Sequence, residues 1–351
     1  MERIRVKTSN KYDVLVECGI LELAGERIKD KIKPCKAAII TDDRVDRLYG
    51  ETLQTSLETS GFCVVKFAFQ NGEKSKNIKT IGKILEFLAK NELTRSDIIL
   101  ALGGGVVGDM AGFAAASYLR GVRFVGVPTT LLAMVDSSVG GKTGFNLDEG
   151  KNLVGAFYQP SVVLCDPVTL KTLPKEILSE GRAEAIKTGV IGSEALFNRF
   201  IKEPDFDEYE AIIKDCVKIK AGLVKRDERD NGARQLLNFG HTVGHTIEKA
   251  SGFNISHGSA VAIGMLAEAR AARSRSLCDD ITVERIKDAL VANGLPVLCE
   301  YGEEELIKTA LLDKKRKGDG ITVVIPKKIG KCELLKIGVN ELEDYFKAAL
   351  C

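Results

Sequence analysis

The 351-residue chain contains no tryptophan, and aromatic residues make up only 6% of it, so aromatic surface contributes little to recognition. It has no uninterrupted apolar stretch of 18 residues, which excludes a membrane-spanning helix. Lysine and arginine (51) nearly balance aspartate and glutamate (49), leaving a net charge of +2. That balance removes any broad attraction to nucleic acid or to an acidic membrane, so the basic groups that matter must act locally. The nine cysteines are odd in number and scattered, with no CxxC pair. This is the pattern of reduced thiols in a cytoplasmic protein, not of a disulfide framework. The N-terminus, Met1 to Val6, alternates like an amphipathic strand and lacks the apolar block of a signal peptide. The expectation is a cytoplasmic protein that acts on a small molecule, without a nucleic-acid or membrane partner.

Histidine is the scarcest informative residue. There are three, and all fall in one short stretch: His241, His245 and His257. His241 and His245 are four apart and share a face if the segment is helical. His257 lies one loop away and can fold back onto that face. Neutral imidazole is a common metal ligand and also an acid–base group near pH 7. A capped helix carrying two packed histidines is the plain alternative.

Length suits two domains. Strand-like runs at 36–42, 63–69, 96–102 and 124–128 alternate with helical patterns, notably 78–90 and the segment running to about 119. Such alternation predicts a parallel sheet covered on both faces, with ligands at the carboxyl ends of its strands. Beyond Asp166-Pro167 long helical patterns dominate: 174–190, 195–202, 208–226, 236–250 and 259–276. Strand signal returns only at 320–325. The predicted organisation is an α/β Rossmann-like domain over 1–165 and a mainly α-helical domain over 166–351.

Two glycine-rich segments stand out. Gly103, Gly105 and Gly108 satisfy GxGxxG between a strand and a helix, where backbone N–H groups can approach a pyrophosphate. The motif departs from the usual fingerprint, because it follows a later strand and no acidic residue lies about twenty positions on. Asp42, and Glu73 with Lys76, are available to hold a ribose instead. The second segment, Asp136 to Gly144, contains GGKT, but Asp136 stands where a P-loop needs its first glycine, so a nucleoside-triphosphate reading is weak. Lys142, and Lys151 with Asn152 in what reads as the same loop, suit a phosphate or carboxylate.

Glu184 and Lys187 are three apart on a predicted helix. A surface ion pair is the ordinary reading of such spacing. Flanking small and apolar residues, and the need of two histidines for a third donor, favour Glu184 as a metal ligand in a set with open coordination positions. Lys220, Arg234 and Asn238 flank the histidines. With Arg120, Lys142, Lys151 and Lys187 they supply positive charge suited to a substrate carrying more than one negative charge.

Taken together the motifs resemble the 3-dehydroquinate synthase family of sugar phosphate cyclases. The matching segments are 103–109, 120–144, 150–160, 172–174, 181–189, 234–245 and 256–258, in family order over most of the chain. The resemblance implies an N-terminal NAD-binding α/β domain, a C-terminal helical domain and an active site between them. It implies conversion of 3-deoxy-D-arabino-heptulosonate 7-phosphate to 3-dehydroquinate and phosphate, with NAD and a divalent metal, Zn²⁺ or Co²⁺. By the same resemblance Glu184, His241 and His257 bind the metal, and His245 is a phosphate neighbour and proton carrier, not a ligand. Arg120, Lys142, Asn152, Asn238 and a lysine near Lys315 gather at the phosphate, with Arg120 reaching in from the second subunit of a homodimer. Lys220 and Arg234 meet the substrate carboxylate, and Asp136 and Lys187 its hydroxyls. The NAD set comprises Asp42, the run Asn71, Gly72, Glu73, Lys74, Ser75 and Lys76, and the run Gly104, Gly105, Val106, Val107, Gly108 and Asp109. To these it adds Thr129, Thr130, Ser137, Lys142, Lys151, Thr169, Leu170, Lys171 and Thr172. Asp43-Arg44 departs from the family, which often carries Asn at the second position beyond Asp42. The alternatives are another cyclase, whose substrate lacks the carboxylate that Lys220 and Arg234 would meet, and a metal-dependent polyol dehydrogenase. A dinucleotide-binding regulator on a dead active site is a third.

Overall fold

The computed structural model describes residues 2–314 and 320–350. The strands are β1 (Glu2–Val6), β2 (Tyr12–Val16), β3 (Lys36–Asp42), β4 (Cys63–Phe69), β5 (Ile98–Gly103), β6 (Arg123–Pro128), β7 (Lys142–Leu147), β8 (Gly150–Phe157), β9 (Val162–Cys165), β10 (Gly320–Lys328) and β11 (Lys331–Gly338). The helices of the first half are α1 (Ala24–Lys29), the single turn α2 (Asp43–Val45), α3 (Glu51–Thr59), α4 (Ile78–Lys90) and α5 (Gly105–Ser117). Those of the second are α6 (Lys175–Gly192), α7 (Glu194–Asn198), α8 (Tyr209–Arg226), α9 (His241–Ala250), α10 (His257–Ser274), α11 (Asp280–Ala292), α12 (Glu303–Lys314) and α13 (Leu342–Leu350). No helix among the described residues is long and apolar enough to cross a membrane.

The chain divides into two compact units, Met1–Leu173 with Lys220–Arg229, and Pro174–Ile219 with Asp230–Cys351. The first is built on a seven-stranded sheet of order β1-β2-β9-β6-β5-β3-β4, parallel except for the β1–β2 pair. Every residue of β5 is buried. Ile98, Leu100 and Leu102 face one layer with Leu53 and Leu57 of α3. Ile99 and Ala101 face the other with Ile84 of α4 and Met110 of α5. This is the period of two expected of a strand covered on both faces, and it explains the continuous apolar runs in the sequence. After β4 the chain returns to the other side of β3 to lay down β5, so the path reverses between β3 and β5. Ligand sites form outside the carboxyl ends of strands at such a point.

Three expectations change. Residues 142–157 form an antiparallel hairpin, β7–β8, not a loop, with Gly144 and Gly155 directly opposite each other in register. Glycine content hid the alternation of its larger residues. Residues 166–173, grouped with the helical domain by their texture, belong to the first unit. The Asp166 carboxylate accepts N–H bonds from Gly19 and Leu21 (2.9 and 3.0 Å), and the Tyr49 hydroxyl donates to the Thr169 carbonyl (3.1 Å). Lys220–Arg229 also joins it. Lys220 donates to Asp136, and Glu228 accepts from Ser9 and Gln159.

The second unit is mainly helical, with the β10–β11 hairpin packed into its core. Helix α10 packs against α6, α9, α11 and α13 and is apolar nearly all round, the composition of a buried helix. Glu268 is its one acidic residue.

Candidate metal centre and dinucleotide cleft

In the first unit, the expected cofactor segments follow the carboxyl ends of five parallel strands. Asp42 ends β3; 71–76 follow β4; 104–109 follow β5; Thr129 and Thr130 follow β6; and 169–172 follow β9. Register places Asp42 opposite Phe69 and Gly103 opposite Pro128, so these ends share one edge of the sheet. Gly104 opens the turn into α5 beside Thr130, and Ser137 lies against Gly105. A pocket is lined there by Gly103, Gly104, Gly108, Asp109, Ser137 and Lys142, among others.

Side-chain bonds tie the segments together. Buried Lys76 donates to Asp109 (2.7 Å) and to Asn152 (2.6 Å). The Asn152 N–H donates to Asn146, and Asn146 donates to Glu73 (2.8 and 2.7 Å). Burial pushes the Asp109 carboxyl above its usual range, and the Lys76 ammonium opposes the shift. Asp42 spends one oxygen on the N–H groups of Arg44 and Val45. At the departure from the family pattern, Asp43 accepts the Asn71 N–H (2.9 Å) and so holds the 71–76 turn. Lys220, itself buried, donates to both the carbonyl and the carboxylate of Asp136 (2.5 and 2.7 Å). Lys142 is exposed and Lys151 half-buried. Arg120 does not join this edge. It is exposed, follows the far end of α5, and precedes the amino end of β6. Thirteen helical residues carry the chain about 20 Å from the glycine turn.

In the second unit the expected helix over 236–250 breaks. Ala233–Asn238 forms a 3₁₀ turn, Gly240 takes a left-handed conformation (φ +79°), and α9 begins at His241. Likewise α10 begins at His257, capped by Ser256. Both histidines therefore occupy the first position of a helix. Glycines bring the two helices together. A Cβ on Gly264 would stand 2.0 Å from the Gly240 carbonyl oxygen and 2.8 Å from the Gly244 nitrogen. The close approach sets the His241 and His257 rings 5.3 Å apart. Gly264→Ala should therefore force α9 off α10 and cost about 3 kcal/mol, the upper part of the overpacking range. Urea unfolding of the variant checks this, and an unchanged midpoint would show that the contact is compliant.

Glu184 comes from the middle of α6 and is 1% exposed, as is Lys187, with which it pairs. Its Oε1 is buried and makes no hydrogen bond, yet lies 3.4 Å from His257 Nε2 and 3.8 Å from His241 Nε2. One donor atom from each of Glu184, His241 and His257 lies within 4.8 Å of the others. A buried carboxylate oxygen lacking a donor, faced by two imidazole nitrogens, fits a divalent cation. Burial opposes ionisation of Glu184, but Lys187 and the imidazoles outweigh it and hold the carboxyl well below its usual range. Burial and Lys187 hold His241 neutral. Burial also opposes a charge on His257, yet Glu184 and Glu248 push its pKa up to about 10.

A second donor group, His245 with Glu248 and His257, shares one histidine with the first. There the Glu248 carboxylate faces His257 Nδ1 at 3.4 Å, which leaves Nε2 directed at Glu184. His245 is exposed, with its Nε2 4.0 Å from Glu248. Arg234 is buried and Asn238 half-buried in the turn before His241. Lys315 lies outside the described residues.

Sequence reasoning passed over Glu248 and Glu268. Glu248 follows His241 and His245 at helical spacing, a readable signal. Glu268 is a lone acid in an apolar helix and is 0% exposed.

Known proteins carry the same framework. The family profile described as 3-dehydroquinate synthase N-terminal matches residues 66–180, and that described as 3-dehydroquinate synthase C-terminal matches 181–316. The 3-dehydroquinate synthase of Streptococcus thermophilus (strain CNRZ 1066) is 45% identical over 346 residues, covering 96% of this chain and 97% of that protein. The 3-dehydroquinate synthase of Clostridium acetobutylicum is 42% identical over 344 residues, with the same coverage. Among solved structures, 2-epi-5-epi-valiolone synthase from Streptomyces hygroscopicus subsp. jinggangensis 5008, with NAD⁺ and Zn²⁺ bound, superposes with a TM-score of 0.86 at 26% identity, covering 99% of each chain. With both profiles matched and relatives above 40% identity over nearly its whole length, the chain belongs to the 3-dehydroquinate synthase family.

Proposed function

We propose that the protein converts 3-deoxy-D-arabino-heptulosonate 7-phosphate to 3-dehydroquinate and phosphate. The observation that carries this reading is the Glu184–His241–His257 donor set, in a chain of this family. Those three residues hold Zn²⁺ or Co²⁺, and NAD lies along the strand ends of the first unit, from Asp42 to the 169–172 turn. With both groups bound, the metal would polarise the C5 oxygen as the hydroxyl proton leaves to solvent, and NAD⁺ would take the hydride from the C5 carbon and return it later, so no net oxidation remains. The residues supply charge and orientation around that chemistry. Lys187 and Asp136 meet substrate hydroxyls, and Arg234 with Lys220 meets the carboxylate. Lys142, Asn152, Asn238 and His245 attend the phosphate, and Lys151 joins the cofactor contacts. Arg120, remote from its own glycine turn, is assigned to the phosphate site of a second copy in a homodimer. The enzyme is assigned to the cytoplasm, where its thiols stay reduced.

The test is a phosphate-release assay on chelated protein, with Zn²⁺ or Co²⁺ added back and NAD supplied below the substrate concentration. Many phosphates should be released per NAD, only after metal addition, with no accumulation of NADH. Reduced cofactor rising one for one with product would point to a dehydrogenase instead.

A further inference from the structure

Helix α9 carries His241 at its first position but has no side-chain cap of its own, because the preceding residue is Gly240. The cap comes from another helix. Glu268, in the buried middle of α10, accepts the Gly240 N–H at 2.9 Å on one oxygen, and those of Thr242 and Val243 at 3.0 and 3.3 Å on the other. The Gly240 N–H belongs to the same planar peptide group as the Phe239 carbonyl. That carbonyl lies 3.2 Å from His241 Nδ1 and, having no proton, must accept from it. The orientation leaves His241 Nε2 directed at Glu184. A continuous chain therefore runs from the Glu268 carboxylate, through the peptide 239–240, to the imidazole.

We infer that Glu268 is a positioning residue for the metal site, fixing the His241 ring through that peptide. The inference rests on reading His241 as a ligand. For His257 the equivalent contact is direct, from Glu248 to Nδ1. For His241 a peptide is interposed, and anchoring its N–H fixes the plane and rotation of the carbonyl that receives Nδ1–H. Linked hydrogen bonds in a low-dielectric interior strengthen one another. Glu268 also places a negative charge at the N-terminus of α9, whose positive end would otherwise disfavour a dication beside it.

The experiment compares Zn²⁺ affinity, by chelator competition, and the visible spectrum of the Co²⁺-loaded full-length chain for the parent, Glu268→Gln, Glu268→Asp and His241→Ala. Outer-shell partners of metal ligands change affinity by about 10–100-fold. Glu268→Gln, which keeps the size and loses the charge, should fall in that range and shift the Co²⁺ spectrum, with the metal-free far-ultraviolet circular dichroism unchanged. A metal affinity within about twofold of the parent, with only a lowered Tm, would reduce Glu268 to a helix cap and overturn the inference. Should Glu268→Gln not fold, Glu268→Asp carries the test, because its carboxylate stops one methylene short of the Gly240 N–H. A tenfold loss supports the role, and parent affinity overturns it. His241→Ala separates the two levels: if it keeps parent affinity, the ligand reading itself falls, whereas its loss beside an unaffected Glu268→Gln removes only the positioning role.

Discussion

His241→Ala and His257→Ala should each weaken metal binding by more than about a hundredfold and lower the rate of phosphate release at least as much. Removing an outer-shell partner already costs about 10–100-fold, and deleting a ligand must exceed that. With three protein donors, loss of one leaves two contacts to hold the ion. Histidine is the cleaner probe. Glu184→Ala would also remove the carboxylate that pairs with buried Lys187, and breaking a buried pair costs about 3–5 kcal/mol in its own right. His245→Ala is the control. It is exposed, and its Nε2 lies 4.0 Å from the Glu248 carboxylate, so its loss should leave the ion in place while lowering activity. Metal analysis by mass spectrometry of the purified variants decides the matter. A metal-free His245→Ala beside a loaded His241→Ala would move the ligand set to the second donor group.

The histidine cluster was readable because scarcity made it conspicuous, and the strands because apolar runs of that length form buried parallel sheet. The family resemblance, and not spacing, separated His245 from the ligand set. Bare i,i+4 geometry favours His241 with His245, and those rings are indeed 5.0 Å apart. What sequence did not display is what depends on approach between elements. Glu184 and Lys187 have the spacing of a surface pair, and only the packing around α6 buries them both. The helix starts at His241 and His257 follow from a left-handed glycine and a serine cap, which periodicity blurs by a few residues. Glu268 lies 27 residues beyond its histidine, a separation with no local signature. It meets α9 because Gly240, Gly244 and Gly264 let the two backbones close together. The same cause hid the β7–β8 hairpin, whose glycines read as loop until paired across strands.

Those contacts also show why one unit can hold several charges with little exposure. Glu184 is offset by Lys187 and two imidazoles, Glu248 faces His257, and Glu268 is met by three backbone N–H groups. Each buried carboxylate has partners that stabilise its charged form, as burial in a low dielectric requires. The spare capacity is concentrated at Glu184 Oε1, the atom that accepts no hydrogen bond.

Arg234→Ala should lower kcat/KM for the heptulosonate phosphate by about tenfold to about 150-fold. Arg234 is 2% exposed, in the turn that leads to Asn238 and His241. A guanidinium can clasp a carboxylate with two parallel N–H bonds, and charge-assisted contacts contribute about 1.5–3 kcal/mol, which converts to that range. Arg234→Lys should recover only part of the loss, since an ammonium is a point charge without the planar fork. The discriminating measurement uses a second substrate, a sugar phosphate of the same ring size without the carboxylate. Its slow turnover should fall far less in Arg234→Ala, because the lost contact was never made. A matched circular dichroism spectrum and Tm would show that the fold is intact. Equal losses on both substrates would place Arg234 in support of the turn or of the phosphate, and the carboxylate role would pass to another cation, Lys220 first.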